Sequence, residues 1–175
     1  MKFTKNIKRT IVALALSTTL LIPAGANSNA INRQGGYNQN DVRVISGLTT
    51  EQIRELLPQN MKELAPILHD VEHRPNPINA IFLSSIIRLE TGNGTSYSYR
   101  ARNNTGGVMG RNGLRSFSSK NECVSYMHDF LNRGYIRQNR ISVWRIGSKY
   151  CVGGNWASKV NNLSKNMMYR SWNLK

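Results

Sequence analysis

The sequence predicts a mainly α domain with one small β-ribbon, and three observations carry that prediction. Ile78, Ile81, Phe82, Ser85, Ile86 and Leu89 recur at helical spacing. Two capping-box patterns, Thr49 with Gln52 and Ser119 with Glu122, each open a run of helical period. Between them, Gly92, Gly94, Gly106, Gly107, Gly110 and Gly113 forbid a long helix across residues 91–117 and leave loop or hairpin.

The elements follow in order. Residues 1–30 read as a secretory signal peptide. Lys2, Lys5, Lys8 and Arg9 precede the apolar run "IVALALSTTLLIPAG", and Ala24-Gly25-Ala26 or Ser28-Asn29-Ala30 offers a cleavage site. A retained anchor is the alternative, but the run is short for a span, and no other segment is apolar enough to cross a bilayer. Residues 31–46 are polar and rich in Gly and Asn, so a flexible leader is expected, with order only near "VRVI". Residues 47–175 form the domain. Thr49 caps "IRELL", and Pro66 starts or kinks the helix "KELAPILHDVEH". "RPNPIN" breaks it, with Asn76 expected to cap the central helix and Pro77 at its first position. "GGVMGRNGLRSF" suits a ribbon turning at Arg111-Asn112-Gly113. Glu122 opens "CVSYMHDFLNRGY", and shorter helices are expected near "SVWRIG" and from Trp156 to about Met168.

Charge narrows the partners. Without the four cations of the signal, 20 Lys+Arg face 9 Asp+Glu, a net +11. Such a chain is drawn to polyanions, and export makes an anionic cell wall or membrane surface the expected one; the charge also serves solubility. No long basic block points to nucleic acid. Two cysteines, Cys123 and Cys151, are a disulfide candidate in an exported chain, or two free thiols. A bond would close a loop worth about 3 to 4 kcal/mol.

Two motifs carry chemistry. "HDVEH" is literally His-x-x-Glu-His, a zinc-peptidase pattern with His69 and His73 on one helical face. Zinc needs a third protein ligand. The only other histidine is His128, and the motif runs into Arg74-Pro75, so no metal site and no cofactor are expected. The second motif is Glu90, which ends an apolar helix. There the negative end of the helix dipole and any burial both disfavour a carboxylate's charge, as a general acid requires. Gly92 and Gly94 then turn the chain away and leave space for a ligand. An exposed glutamate before an ordinary glycine cap is the alternative.

"INAIFLSSIIRLETGNGTSYSYRARNNTGGVMG" resembles the glucosaminidase-type family of peptidoglycan hydrolases in the lysozyme-like superfamily. That family's pattern is an apolar helix ending in Glu-Ser/Thr-Gly-x-Gly-Thr-Ser, followed by Asn-Asn-x-x-Gly. Here the residues are Glu90-Thr91-Gly92-Asn93-Gly94-Thr95-Ser96 and Asn103-Asn104-Thr105-Gly106-Gly107. "SFSSKNECVSYMHDFL" and "VWRIGSKYCVGGNWASKV" are similar to later family segments, so the likeness spans about residues 46 to 165. It implies a lysozyme-like helical domain whose ribbon lies beside a catalytic cleft and which acts on peptidoglycan glycan strands; with the export signal, a secreted or wall-associated monomer is expected. Glu90 would be the acid that cleaves a β-1,4 bond, and Tyr150 matches the family's tyrosine opposite it.

Most glycosidases pair two carboxylates, about 5 to 5.5 Å apart for retention or about 6.5 to 9.5 Å for inversion. After Glu90 the chain offers only Glu122 and Asp129, and the ribbon, where some relatives carry a second acid, has none. Glu122 is therefore a catalytic candidate, although its capping box gives it another task. Sugar binding asks for flat rings and amide edges. Tyr97, Tyr99, Trp144 and Trp156 supply the rings; Asn103, Asn104 and Asn155 supply the amides.

Overall fold

A computed structural model describes residues 36–152 and 154–174. The expected signal peptide lies outside these residues. Helix α1 (Thr50–Leu56) opens with a complete capping box, Thr49 and Gln52 satisfying each other's backbone. A 3₁₀ segment (Gln59–Leu64) leads into α2 (Ala65–Glu72), where Pro66 lies in the first turn and so starts the helix rather than kinking it. Central helix α3 spans Ala80–Thr91, and every residue from Ala80 to Ile87 is buried. Each of its large apolar side chains contributes about 1.5 to 3 kcal/mol on leaving water. It packs most extensively on the last helix, α7 (Trp156–Ser171), and also on α2.

The cap of α3 differs from expectation. Asn79, not Asn76, accepts from the Phe82 amide at 3.0 Å. The reason is tertiary. The Asn79 side-chain amide donates to the Gly36 and Val44 carbonyls at 2.7 Å each, tying the N-terminal segment down. Asn76 instead adopts a left-handed conformation (φ 60°) and its carbonyl accepts from His128 and Asn132. The same ties overturn the flexible leader from Gly36 onward. Val42 is fully buried, donates to Ile141 and accepts from Asn79. Tyr37 reaches Asn161 at 2.9 Å.

Glu72, the acid of "HDVEH", is buried, and its carboxylate is taken up by backbone and hydroxyl donors. It accepts from the amide and hydroxyl of Ser46 and from the Ala80 amide. His69 and His73 stack on each other 4.3 Å apart. Among the described residues no group of three His, Cys, Asp or Glu side chains could hold a metal ion. Nor is any described helix long and apolar enough to cross a membrane.

Residues 91–117 hold a short helix where only loop or hairpin is expected. Helix α4 (Tyr97–Arg102) occupies the glycine-free interval, capped by Ser96 at one end and by left-handed Asn103 at the other. The ribbon pairs β1 (Met109–Gly110) with β2 (Gly113–Leu114), antiparallel, Met109 opposite Leu114. Helix α5 (Lys120–Gly134) follows, then a 3₁₀ turn (Ile136–Gln138) and α6 (Val143–Tyr150). The cysteines are not bonded. Cys123 points inward from α5 and accepts from the Thr105 amide at 3.2 Å, whereas Cys151 is exposed beyond the end of α6.

Candidate active site

Glu90 stands on the last turn of α3, half-buried. The residues after it build a helix end that clears space in front of the carboxylate. Thr91 is buried and its hydroxyl donates to the Ile87 carbonyl at 2.6 Å while accepting from the Gly94 amide at 3.0 Å. The Asn93 amide closes back on the Arg88 carbonyl, and the Arg88 guanidinium donates to the Asn93 side chain. Gly94 is irreplaceable on two counts: its φ is +79°, and a Cβ there would lie 2.8 Å from Met61. This run is therefore scaffolding that lets Glu90 face open space.

Trp156, the first residue of α7, donates its indole N–H to Glu90 Oε1 at 2.9 Å. Its ring stacks on Tyr150 with centroids 4.4 Å apart and planes 23° apart. The other carboxylate oxygen, Oε2, looks toward Gly107, where a Cβ would come within 3.5 Å. Among the described residues no cation pairs with Glu90. Burial, and next the negative charge of Glu90, push the Tyr150 phenol well above the ordinary tyrosine value. Tyr150 is thus a neutral donor at any physiological pH.

Two cavities meet at this pair. One, of about 390 Å³, runs from Glu90 and Tyr150 past Gly106–Met109 to Tyr126, Phe130 and Tyr135. The other, of about 310 Å³, runs from the same two residues past Trp156 and Asn155 to Cys151 and Lys159. Glu90 therefore sits midway along an open channel, with its free oxygen exposed to the larger half. Rings floor that half: Phe130 lies 6.4 Å from both Tyr126 and Tyr150, and Tyr135 lies 6.1 Å from Tyr150. Glu90 is the only carboxylate lining either cavity among the described residues.

The other expected site residues divide. Trp156, Tyr150 and Asn155 join Glu90 at the channel. Glu122 does not line it. The Ser118 amide and hydroxyl both donate to its carboxylate at 2.7 Å, and those bonds hold it below the usual carboxylate range. Its task here is to close the start of α5. Asn104 is fully buried, bracketing the ribbon through the Val108 and Arg115 carbonyls at 2.8 Å each. Asn103 ties α4 to the Phe117 and Ser118 carbonyls. Tyr97 is exposed and lines neither cavity, and Tyr99 is buried against the Asn60 carbonyl. Trp144 lies beyond the smaller cavity. Sequence reasoning missed Tyr126, Phe130 and Tyr135. Its available signal was the i, i+4 placement of Tyr126 and Phe130 on a face of α5 that leaves Phe130 40% exposed.

No protein-family model matches the chain, and no curated protein matches it. Solved structures do. A catalytic mutant of S. aureus autolysin E in complex with a NAG-NAM disaccharide aligns with TM-score 0.66 at 15% identity, over 82% of this chain and 78% of that one. Autolysin E with a bound muropeptide aligns with TM-score 0.67 at 15% identity and the same coverage. Autolysin E without a named ligand gives 0.66 at 16%, over 82% and 77%. The chain therefore has the helical, lysozyme-like fold of these autolysins, with its two-stranded ribbon.

Proposed function

We propose that this protein is a secreted peptidoglycan hydrolase that cuts β-1,4 bonds of cell-wall glycan strands, as an endo-β-N-acetylglucosaminidase. The observation that carries the reading is the position of Glu90: an unpaired carboxyl midway along an open, ring-floored channel, oriented by Trp156. The fold likeness to autolysins bound to wall fragments supports the same substrate class. A net charge of +11 outside the first thirty residues suits an anionic wall.

A polymer laid through the channel places its scissile bond at Glu90, with sugars on both sides. Glu90 gives its proton to the bridging oxygen, and the bond from that oxygen to the anomeric carbon breaks. The substrate's own N-acetyl oxygen attacks the anomeric carbon as the bond breaks, forming a cyclic intermediate. Water then opens this ring, returning a proton to Glu90. Tyr150, neutral and stacked on Trp156, offers a hydroxyl donor beside the charge that develops. This route needs one strong acid, which fits a channel with a single carboxylate. Direct attack by water, with Glu90 as acid and then base, uses the same residues.

Glu90→Gln tests the reading. Purified peptidoglycan digested with the unsubstituted protein should release fragments with new reducing-end N-acetylglucosamine, identified by mass spectrometry. Glu90→Gln should abolish release and retain binding to insoluble wall. New ends at muramic acid, or anhydro ends, would replace the glucosaminidase assignment by a muramidase or a lytic transglycosylase. Wall binding with no new ends from the unsubstituted protein would make it a binding module.

A further inference from the structure

A third cavity of about 220 Å³ continues the channel beyond the smaller half. It shares Cys151, Gly154 and Asn155 with that half, so the two are contiguous. The geometry points to a distal sugar subsite here, centred on Trp144, that takes one further pyranose of an N-acetylated hexosamine strand. This inference rests on the glycan reading of the channel and extends its length.

The helix dictates the subsite's floor. Trp144, Gly147, Ser148 and Cys151 follow one another at i, i+3, i+4 and i+7, so they line one face of α6 and its end. That face meets the first turn of α7 at Ala157 and Ser158. Gly147 keeps the two helices close, since a Cβ there would lie 2.7 Å from the Ala157 Cβ. The Trp144 ring, which is 44% exposed, lines the same cavity. A flat, half-exposed indole lining an open cavity suits the apolar face of a pyranose.

Polar edges complete it. Asn155 is the N-cap residue of α7, where an asparagine ordinarily turns its oxygen back onto the helix. Its side chain makes no such cap bond, and the residue lies exposed between the second and third cavities. Its amide is thus available to an acetamido or hydroxyl group arriving from either side. Ser158 adds a hydroxyl, whereas that of Ser148 already donates to the Arg145 carbonyl and accepts from Arg140, and among the described residues no carboxylate lines the cavity to repel an anionic strand. The occupant is the strand already proposed for the channel, because continuity through Cys151, Gly154 and Asn155 leads a bound polymer onto Trp144.

The test uses the full chain carrying Glu90→Gln, so that nothing is turned over. Dissociation constants are measured for purified peptidoglycan glycan strands in a long fraction and in a disaccharide fraction. Adding Trp144→Ala should weaken the long fraction by roughly five- to thirty-fold more than the disaccharide. Trp144→Phe should recover most of the difference. Ser158→Tyr, which fills the cavity from the opposite side, should reproduce the selective loss without touching the indole. Equal weakening of both fractions, or of neither, overturns the subsite. Failure of the hydrolase reading shows separately: the unsubstituted protein would release no new ends from peptidoglycan, while the length-dependent affinities would still be read.

Discussion

Trp156→Phe isolates the bond that orients the proposed acid, Glu90. The substitution removes the indole N–H that donates to Glu90 Oε1 at 2.9 Å and keeps an aromatic ring against Tyr150. A donor to a carboxyl is worth more when that carboxyl is charged, and in the proposed reaction Glu90 gains charge as its proton leaves for the bridging oxygen. The interaction therefore strengthens toward the transition state, and its loss should fall on kcat. Hydrogen bonds to charged groups contribute about 1.5 to 3 kcal/mol. Glu90 is open to the channel, so water offsets part of that, and roughly 1 to 2 kcal/mol remains, a fall in kcat of about five- to thirty-fold. KM should change little, because the ground-state complex does not use the extra charge. Initial-rate kinetics on soluble glycan strands separate the two constants. The smaller ring also leaves a void under a residue that is only 6% exposed, so a melting curve must accompany the kinetics. An unchanged kcat, or a loss carried entirely by KM, would refute the orienting role.

Two further outcomes test the scaffold. Glu72→Ala should destabilise the fold by about 2 to 5 kcal/mol in urea denaturation, because it strands the buried Ser46 and Ala80 donors; a loss below about 1 kcal/mol would contradict the clamp. The thiols should differ. Cys151 is exposed and should react with Ellman's reagent in the native protein, whereas Cys123, buried and with its ionisation pushed up mainly by burial, should react only on unfolding. Two silent cysteines in the denatured, unreduced protein would mean a disulfide.

What the sequence made legible was local. The apolar period of α3, the capping boxes of α1 and α5 and the Arg111-Asn112-Gly113 turn each need only neighbours within one or two turns to be read. Glu90 was found because its helix end and the glycines after it are contiguous. What escaped depends on partners far along the chain. Asn76 and Asn79 are equally good caps by composition, and only the Gly36 and Val44 carbonyls choose between them. Helix α4 is six residues long, too short for periodicity, and its caps define it. Asn104 looks like a ligand-binding amide until its four-way bracket of the ribbon is seen. Tyr126 and Phe130 give no sequence sign of a floor because the rings that complete it, Tyr135 and Tyr150, arrive from later elements.

The missing second carboxylate has a structural consequence that follows from these same contacts. Two acids flanking one bond repel each other, and a fold that pairs them must spend donors to hold one charged and one neutral. Here the wall opposite Glu90 is aromatic, and the nearest later acid, Glu122, is committed to Ser118 at the start of α5. A phenol held neutral, as Tyr150 is, is a poor nucleophile, but in the proposed reaction the rings hold a sugar by its flat face and keep that phenol against it. Such a channel favours substrates that bring their own nucleophile. An acetamido group at the sugar's second carbon does so, and a plain glucose polymer does not. The discrimination should therefore reside in the substrate's chemistry as much as in the protein's contacts. By the substrate-assisted route a cellulose oligomer of the same length would lie in the channel and remain uncut, whereas cleavage of cellulose at a rate similar to that of N-acetylated strands would rule out attack by the acetamido oxygen and leave direct attack by water.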